Sequence, residues 1–203
     1  WAVPAGVGAA ALAAGGAFLA LDSDDATTTP AASPSPSAEV SPTPDPEPPT
    51  TLLSGRRGED GQVLAVKLDN TVNSHPHAGL MAADVVYLEE VEYGLTRFMA
   101  VYSSRYPKVV GPVRSARESD LQILEQYGRV GFAFSGANPQ ILDEIAGAPL
   151  YPLSNDAGAP GYSRSPDRSA PWDLFADPDD LLKGAPKATE AKEAGADVVG
   201  GEE

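Results

Sequence analysis

Cysteine is absent from the 203 residues of the chain, and histidine occurs only twice. The chain therefore cannot form a disulfide, a thiolate metal site, a catalytic cysteine or a lipid-modified N-terminal cysteine. His75 and His77 alone are also too few for a three-histidine metal centre. The globular part contains no P-loop, GxGxxG or GxSxG pattern, so the sequence predicts neither a cofactor nor a resident metal.

Basic residues are scarce as well. The chain has 14 lysines and arginines against 29 aspartates and glutamates, which gives a net charge of −15. A field of that sign disfavours general binding to nucleic acids or to anionic membrane surfaces. We therefore expect no nucleic-acid partner, and any local concentration of basic side chains becomes informative.

Residues 1–21 carry no charge and are mostly alanine, glycine and larger apolar residues. About 20 apolar residues suffice to cross a bilayer as a helix. The segment fits a retained membrane anchor or the apolar core of a secretion signal, and we favour the anchor. A buried core helix is a third interpretation, but the composition of the next segment makes it the weakest.

Residues 22–54 are predicted to be a disordered linker. Eight prolines and ten serines or threonines fall within positions 27–51, which leaves too few apolar side chains to form a core. Acidic residues follow the apolar segment directly, and no basic residue occurs before Arg56. This asymmetry indicates that the C-terminal side lies outside the cytoplasm, so we expect a protein on the extracytoplasmic side of the cell membrane.

Residues 55–185 are long enough for one globular domain, and residues 186–203 fit either a polar tail or the start of a truncated second domain. Apolar runs and turn signals predict a mixed β-sheet with helices packed on it, of the α/β or α+β class. Ser115 and Glu118 have the spacing of a helix-capping pair, and Asn138 and Asp177 each precede a proline as N-caps do. The predicted elements are strands at 63–68 and 129–135, a hairpin of 84–93 and 95–103, and helices at 116–127, 140–146 and 178–183. The residues predicted to form the core are Val66, Leu68, Val86, Leu88, Phe98, Leu121, Leu124, Phe132 and Ile141.

A cluster of arginines is the first candidate site. The stretch GPVRSAR at 111–117 brings Arg114 and Arg117 to the start of the predicted helix, and Arg97 of the hairpin could close the site. Guanidinium groups and free helix amides favour a carboxylate or a phosphate. The alternative is that the arginines form only structural ion pairs with nearby glutamates, namely Glu89, Glu90, Glu92 or Glu118.

Two weaker candidates involve carboxylates and histidines. Glu89 could combine with Asp69 as the acid and base of a hydrolase, although Glu89 and its neighbour Glu90 point to opposite faces of a strand. A solvated strand edge is the simpler interpretation of these glutamates. His75 and His77 could bind a metal together with Asp69, but a surface turn is the better interpretation.

The order of several motifs resembles the YerB-like bacterial lipoproteins, a family of unknown function. The resemblance runs from about residue 63 to residue 182 and is carried by LAVKLDN, HPHAGLMAADVVYLEEVEYGLTRFMAVY, GPVRSARESDLQIL and YSRSPDRSAPWDLFADPDDLL. The chain departs from the family at 75–80, where the family usually has RPQSGL, and at 170–173, where it usually has APHN. The family's anchoring cysteine is also absent.

The resemblance implies a tethered extracytoplasmic domain, and it implies positions shared with the family. Among these shared positions, the candidate ligand-binding residues are Asn70, Arg97, Arg114, Ser115, Arg117 and Arg164. We expect a binding module for an anionic ligand of the cell envelope. The alternatives are an envelope-polymer hydrolase using Asp69 and Glu89, and a scaffold that docks a protein partner.

Overall fold

The computed structural model describes residues 48–191. The predicted apolar segment 1–21, most of the predicted linker and the last twelve residues lie outside this range. The described chain forms a mixed five-stranded sheet in the order β2-β3-β1-β4-β5 with helices packed on it, which confirms the predicted fold class. The strands are β1 (Leu64–Asp69), β2 (Val85–Glu90), β3 (Thr96–Tyr102), β4 (Gly131–Phe134) and β5 (Tyr151–Ser154).

Strand β1 occupies the centre of the sheet, and all six of its residues are buried. It pairs antiparallel with β3 and parallel with β4, while β5 continues the parallel half of the sheet. The hairpin of β2 and β3 turns at Tyr93 and Gly94, both of which have positive φ. A strand covered on both faces is expected to be a continuous apolar run, as β1 is except at Lys67 and Asp69.

Different elements cover the two faces of the sheet. Helices α1 (Glu118–Leu124) and α2 (Pro139–Gly147) cover one face, where Ala65, Met99 and Phe132 join their apolar side chains. Helix α3 (Pro178–Lys183) and a small second sheet cover the other face. That second sheet consists of β6 (Tyr162–Arg164) and β7 (Leu174–Ala176). Sequence analysis missed β5, β6 and β7 because strands of three or four residues are too short to show a periodic pattern.

Two of the three predicted helix caps are confirmed. The side chains of Asn138 and Asp177 accept hydrogen bonds from backbone N–H groups in the first turns of α2 and α3, both at 2.9 Å. The predicted Ser115 cap is wrong, since α1 begins at Glu118 with Arg117 as its N-cap residue. Asp120 accepts a hydrogen bond from the backbone N–H of Arg117 at 2.7 Å, so acidic groups of the chain already occupy the helix start.

The predicted core is correct in the centre of the sheet and wrong on its edge. Val66, Leu68, Leu124, Phe132 and Ile141 are buried, and Phe98 and Leu121 are half-buried. Val86 and Leu88 are instead 42% and 62% exposed. They lie on edge strand β2, whose alternate residues Tyr87 and Glu89 face the helices, and neither belongs to the core cluster of the opposite face.

Described residues outside the predicted limits of 55–185 also pack on the domain. Thr50 forms a β-bridge with Arg57, and the side chain of Thr51 is buried. At the other end, the backbone N–H of Val63 donates a hydrogen bond to the carbonyl of Thr189 at 2.8 Å, and Ala191 is buried. Within residues 48–191, none of the helices combines the length and the apolarity that a membrane crossing requires.

We expect Leu124→Ala to lower the free energy of unfolding by about 2–5 kcal/mol, because it removes a fully buried side chain between α1 and the sheet. Leu88→Ala is the matched control and should change stability by less than about 0.5 kcal/mol, since Leu88 is largely exposed. Denaturant unfolding of both variants measures the difference. Equal losses would show that the two leucines do not differ in burial.

Candidate anion-binding site

The site is built around a backbone segment, residues 113–116, that lies between β1 and β4. The two strands pair directly only as far as Val66 and Ala133. Beyond that point the N–H of Arg114 donates to the carbonyl of Lys67, and the carbonyl of Arg114 accepts from the N–H of Ser135, both at 2.9 Å. Arg114 is therefore fixed by its backbone at the carboxyl ends of two parallel strands.

The chain order shows why a cleft opens at this position. After β1 the chain forms β3 and β2 on one side of the strand, and it then crosses to form β4 on the other side. In open α/β sheets, such a reversal of strand order leaves a crevice at the carboxyl ends, where ligands commonly bind. An open cleft of about 370 Å³ lies here, with charged walls formed by Asp69, Glu92, Arg97, Arg114 and Arg117.

Arg114 is held to the cleft wall by one side-chain contact. Its Nε donates to Oδ2 of Asp69 at 2.7 Å, while the backbone N–H and the hydroxyl of Thr71 donate to Oδ1. Burial opposes ionisation of Asp69, but the Thr71 hydrogen bonds and the charge of Arg114 outweigh it and lower the pKa of this carboxyl. Within residues 48–191, no hydrogen-bond acceptor engages the two terminal nitrogens of Arg114.

Arg117 pairs with a carboxylate on the hairpin turn. Its Nη2 donates to Oε2 of Glu92 at 3.0 Å, and its Nε lies 2.9 Å from Oε1 without a well-directed hydrogen bond. The hydrogen bond from Arg117 lowers the pKa of Glu92. Because the Glu92 side chain is 56% exposed, its ion pair with Arg117 contributes only about 0–1 kcal/mol to the stability of the fold. A pair this weak leaves Arg117 able to bind another anion in place of Glu92.

Arg97 lines the same cleft as the other two arginines and is buried. Its Nη1 donates to the backbone carbonyl of Ser115 at 2.6 Å, an uncharged acceptor. Burial lowers the pKa of Arg97, and the positive charges of Arg117 and Arg114 lower it further. Three guanidinium groups thus share one cleft with two carboxylates, which leaves an excess positive charge there in a strongly acidic protein.

Glu89 belongs to a buried cluster of charges next to the cleft. The Nζ of Lys67 lies 2.6 Å from a carboxylate oxygen of Glu89 and 2.6 Å from one of Asp120. The hydroxyl of Ser119 donates to the second oxygen of Glu89 at 2.6 Å. The interpretation of Glu89 as part of a solvated strand edge is therefore wrong, because its carboxylate is buried and bound by Lys67 and Ser119.

Sequence analysis missed Lys67 and Asp120, although Lys67 carried a usable signal. It stands alone as a charged residue inside an apolar strand, and a buried ammonium group requires a carboxylate partner. Asp120 gave no comparable signal, because acidic residues are common in the first turn of any helix.

The remaining predicted ligand-binding residues are Asn70, Ser115 and Arg164. The amide of Asn70 donates to the hydroxyl of Thr96 at 2.8 Å, and the hydroxyls of Ser115 and Ser135 lie 3.3 Å apart. Arg164 pairs with Asp173 at 2.8 Å and lines a second, neighbouring cleft. The structure thus brings Arg97, Arg114, Arg117 and Asp69 together, whereas Asn70, Ser115 and Arg164 do not line the first cleft.

The two histidines lie close together in a loop. A ring nitrogen of His77 lies 2.6 Å from the backbone carbonyl of Asp69, and one of His75 lies 3.2 Å from the side-chain oxygen of Asn70. No group of three or more metal-ligating side chains occurs among residues 48–191.

The sheet and its cleft define an α+β domain with a charged crevice at the carboxyl ends of β1 and β4. Residues 50–192 match the family described as "Protein of unknown function (DUF3048) N-terminal domain". The chain belongs to this family, which confirms the resemblance predicted from its motifs.

Two comparisons connect the chain to one relative, YerB of Bacillus subtilis. A curated protein of strain 168 named "Putative lipoprotein YerB" is 39% identical over 69 residues, which cover 34% of this chain and 21% of that protein. The crystal structure of YerB matches with a TM-score of 0.61 and 26% identity, and the match covers 68% of this chain and 49% of the YerB chain. The chain therefore matches at most about half of the length of this relative.

The cluster around Lys67 predicts an unusual dependence of stability on pH. Burial raises the pKa of Asp120 to about 7; Lys67 opposes the rise and Glu89 adds to it. An acid whose pKa is higher in the folded than in the unfolded state binds its proton more tightly when folded, so stability falls as pH rises between the two values.

Between about pH 4 and pH 7, we expect the free energy of unfolding of the parent to fall by roughly 1–4 kcal/mol relative to that of the Asp120→Asn variant. The lost hydrogen bond of the variant adds an offset that does not depend on pH. Denaturant unfolding at several pH values measures this difference. A constant difference from pH 4 to pH 8 would contradict the raised pKa.

Proposed function

We propose that this chain is a binding module whose first cleft holds an anionic group between Arg97, Arg114 and Arg117. The observation that carries the proposal is the convergence of three guanidinium groups. Among residues 48–191, the hydrogen-bond acceptor of Arg97 is a neutral one, the carbonyl of Ser115. An anion placed among them would relieve their mutual repulsion and accept hydrogen bonds from the terminal nitrogens of Arg114. Planar guanidinium groups suit the two-point recognition of a carboxylate or a phosphate.

The contacts favour binding over hydrolysis. The hydrolase alternative requires Asp69 and Glu89 to exchange protons with a substrate. Arg97 stands between these two residues in the strand register, and Arg114 and Lys67 each hold one of the two carboxylates. The pKa of Asp69 is lowered, which is opposite to the shift that a general acid requires.

The cellular setting of the proposal is the outer side of a membrane. The name of the relative YerB describes a lipoprotein, and residues 1–21 of this chain are apolar while residues 22–54 are rich in proline, serine and threonine. We propose that the domain is held at the cell membrane on its extracytoplasmic side, where the ligand would be an anionic component of the cell envelope. The docking of a protein partner has no specific support in the contacts of the described residues.

Replacing Arg114 and Arg117 together by glutamine should weaken the binding of inorganic phosphate at least about tenfold, because two of the three charged donors are lost. Isothermal titration calorimetry measures the dissociation constant. Arg105→Gln combined with Lys108→Gln is the matched control. It removes the same charge roughly 20 Å away, at the other end of β3, and should leave binding within about twofold.

Thermal melts separate this proposal from a purely structural role of the arginines. Arg117→Gln alone breaks the partly exposed pair with Glu92 and the hydrogen bond from Nη1 to the carbonyl of Ala116, so it should lower the melting temperature only slightly while weakening phosphate binding. If the arginine variants instead lower the melting temperature and bind phosphate as the parent does, the arginines are structural and the proposal is wrong.

Glu92→Gln should have the opposite effect and tighten phosphate binding about threefold to tenfold. Glu92 competes with the ligand for Arg117, and its exposed position makes its removal mild for the fold. Glu90→Gln is the control, since Glu90 is an exposed acid of β2 that does not line the cleft. Equal effects of the two variants would point to the net charge of the protein rather than to the cleft.

A further inference from the structure

A second, polar cleft lies on the other side of Arg114. It has a volume of about 200 Å³, and its walls include Ser135 after the carboxyl end of β4 and Asn155 and Asp156 after that of β5. Arg114 is common to the walls of both clefts, so the two clefts adjoin at a single side chain. Small-molecule sites usually measure about 300–1,000 Å³, so the second cleft has the size of a subsite rather than of a complete site.

The loop after β5 is held in place by its backbone. The N–H groups of Asn155 and Asp156 donate to the carbonyls of Phe134 and Ser135 at 3.0 and 2.9 Å. Gly136 allows the close approach of this loop, because a Cβ atom there would collide with the carboxylate of Asp156. The backbone that carries Asn155 and Asp156 is therefore fixed next to the ends of β4 and β5.

The walls of the second cleft differ in chemistry from those of the first. They combine a hydroxyl, an amide, a carboxylate and a guanidinium group, from Ser135, Asn155, Asp156 and Arg164. Oδ1 of Asp156 accepts a hydrogen bond from Asn155 at 3.2 Å, and Oδ2 accepts none from residues 48–191. A carboxylate acceptor repels a second anion but accepts hydrogen bonds from hydroxyl groups.

The remaining walls are apolar and include Val113, Ala170, Pro171 and Leu174. A sugar or another polyol presents hydroxyl groups at its rim and carbon-bound hydrogens on its faces. This combination fits a cleft that has polar groups on one side and apolar side chains on the other.

We infer that the ligand is a sugar or polyol that carries an anionic group: the anion lies among the arginines of the first cleft, and the hydroxyl-bearing unit lies beside Asp156 and Asn155. This inference rests on the proposed function and narrows it to a class of ligand. A phosphate and a carboxylate both serve as the anionic group, since both match the guanidinium fork.

The test compares ligands with and without the hydroxyl-bearing unit by isothermal titration calorimetry. The probes are inorganic phosphate, glucose 1-phosphate, glucose 6-phosphate and glucuronate, the last of which separates a carboxylate from a phosphate ligand. For the parent, we expect the tightest of the three sugar probes to bind at least about tenfold more tightly than inorganic phosphate.

Asp156→Ala and Asn155→Ala should reduce this gain to less than about threefold and leave the dissociation constant of inorganic phosphate unchanged. Asp143→Ala is the matched control, because it removes an exposed acid of α2 that lines neither cleft, and it should keep the whole gain. Arg114→Gln should weaken phosphate and sugar probes alike.

The outcomes separate the two proposals. If phosphate binds but no sugar probe gains affinity, or if the gain survives both Asp156→Ala and Asn155→Ala, the second subsite is wrong and the arginine site stands. If neither phosphate nor any sugar probe binds the parent, the proposed function is wrong, and this inference fails with it.

Discussion

The backbone of residues 113–116, placed between the diverging ends of β1 and β4, is the constraint on which the candidate site depends. Hydrogen bonds to Lys67 and Ser135 on its two sides fix Arg114, and the segment then leads directly into α1. Arg114 therefore lies between a cleft whose walls include five charged side chains and a smaller cleft with mixed polar and apolar walls. Without this segment the reversal of strand order would leave a single unfilled crevice rather than two separate clefts.

The buried cluster around Lys67 connects the secondary-structure elements next to this segment. One ammonium group bridges β2 through Glu89 and α1 through Asp120, and Asp120 also binds the N–H of Arg117. Two buried carboxylates that share a single cation are costly unless their geometry is good, because desolvation opposes the attraction. The cluster thus links the position of the Arg117 backbone to buried charges that do not line the cleft.

The sequence predicted the fold where its patterns were long and failed where the outcome depended on contacts across the sheet. The apolar run of β1, the hairpin turn at Tyr93 and the cap at Asn138 were all readable from local chemistry. The inward orientation of Glu89 was not, because alternation gives two faces without telling which one the helices cover. The arginines of the cleft were predicted as a cluster at a helix start, and Arg117 is indeed the N-cap residue of α1. The predicted cap at Ser115 was wrong, and Asp120 accepts the hydrogen bond of the Arg117 N–H.

The central claim is that Arg97, Arg114 and Arg117 bind one anion together, and the side-chain Nε–Hε resonances of arginine report on this directly. During a titration with inorganic phosphate, the resonances of these three residues should shift along a single saturating curve. Those of Arg105, which is exposed, and Arg129, which packs over the ring of Tyr151, should stay in place. A small, non-saturating drift shared by all arginines, or no shift at the cleft, would contradict the account.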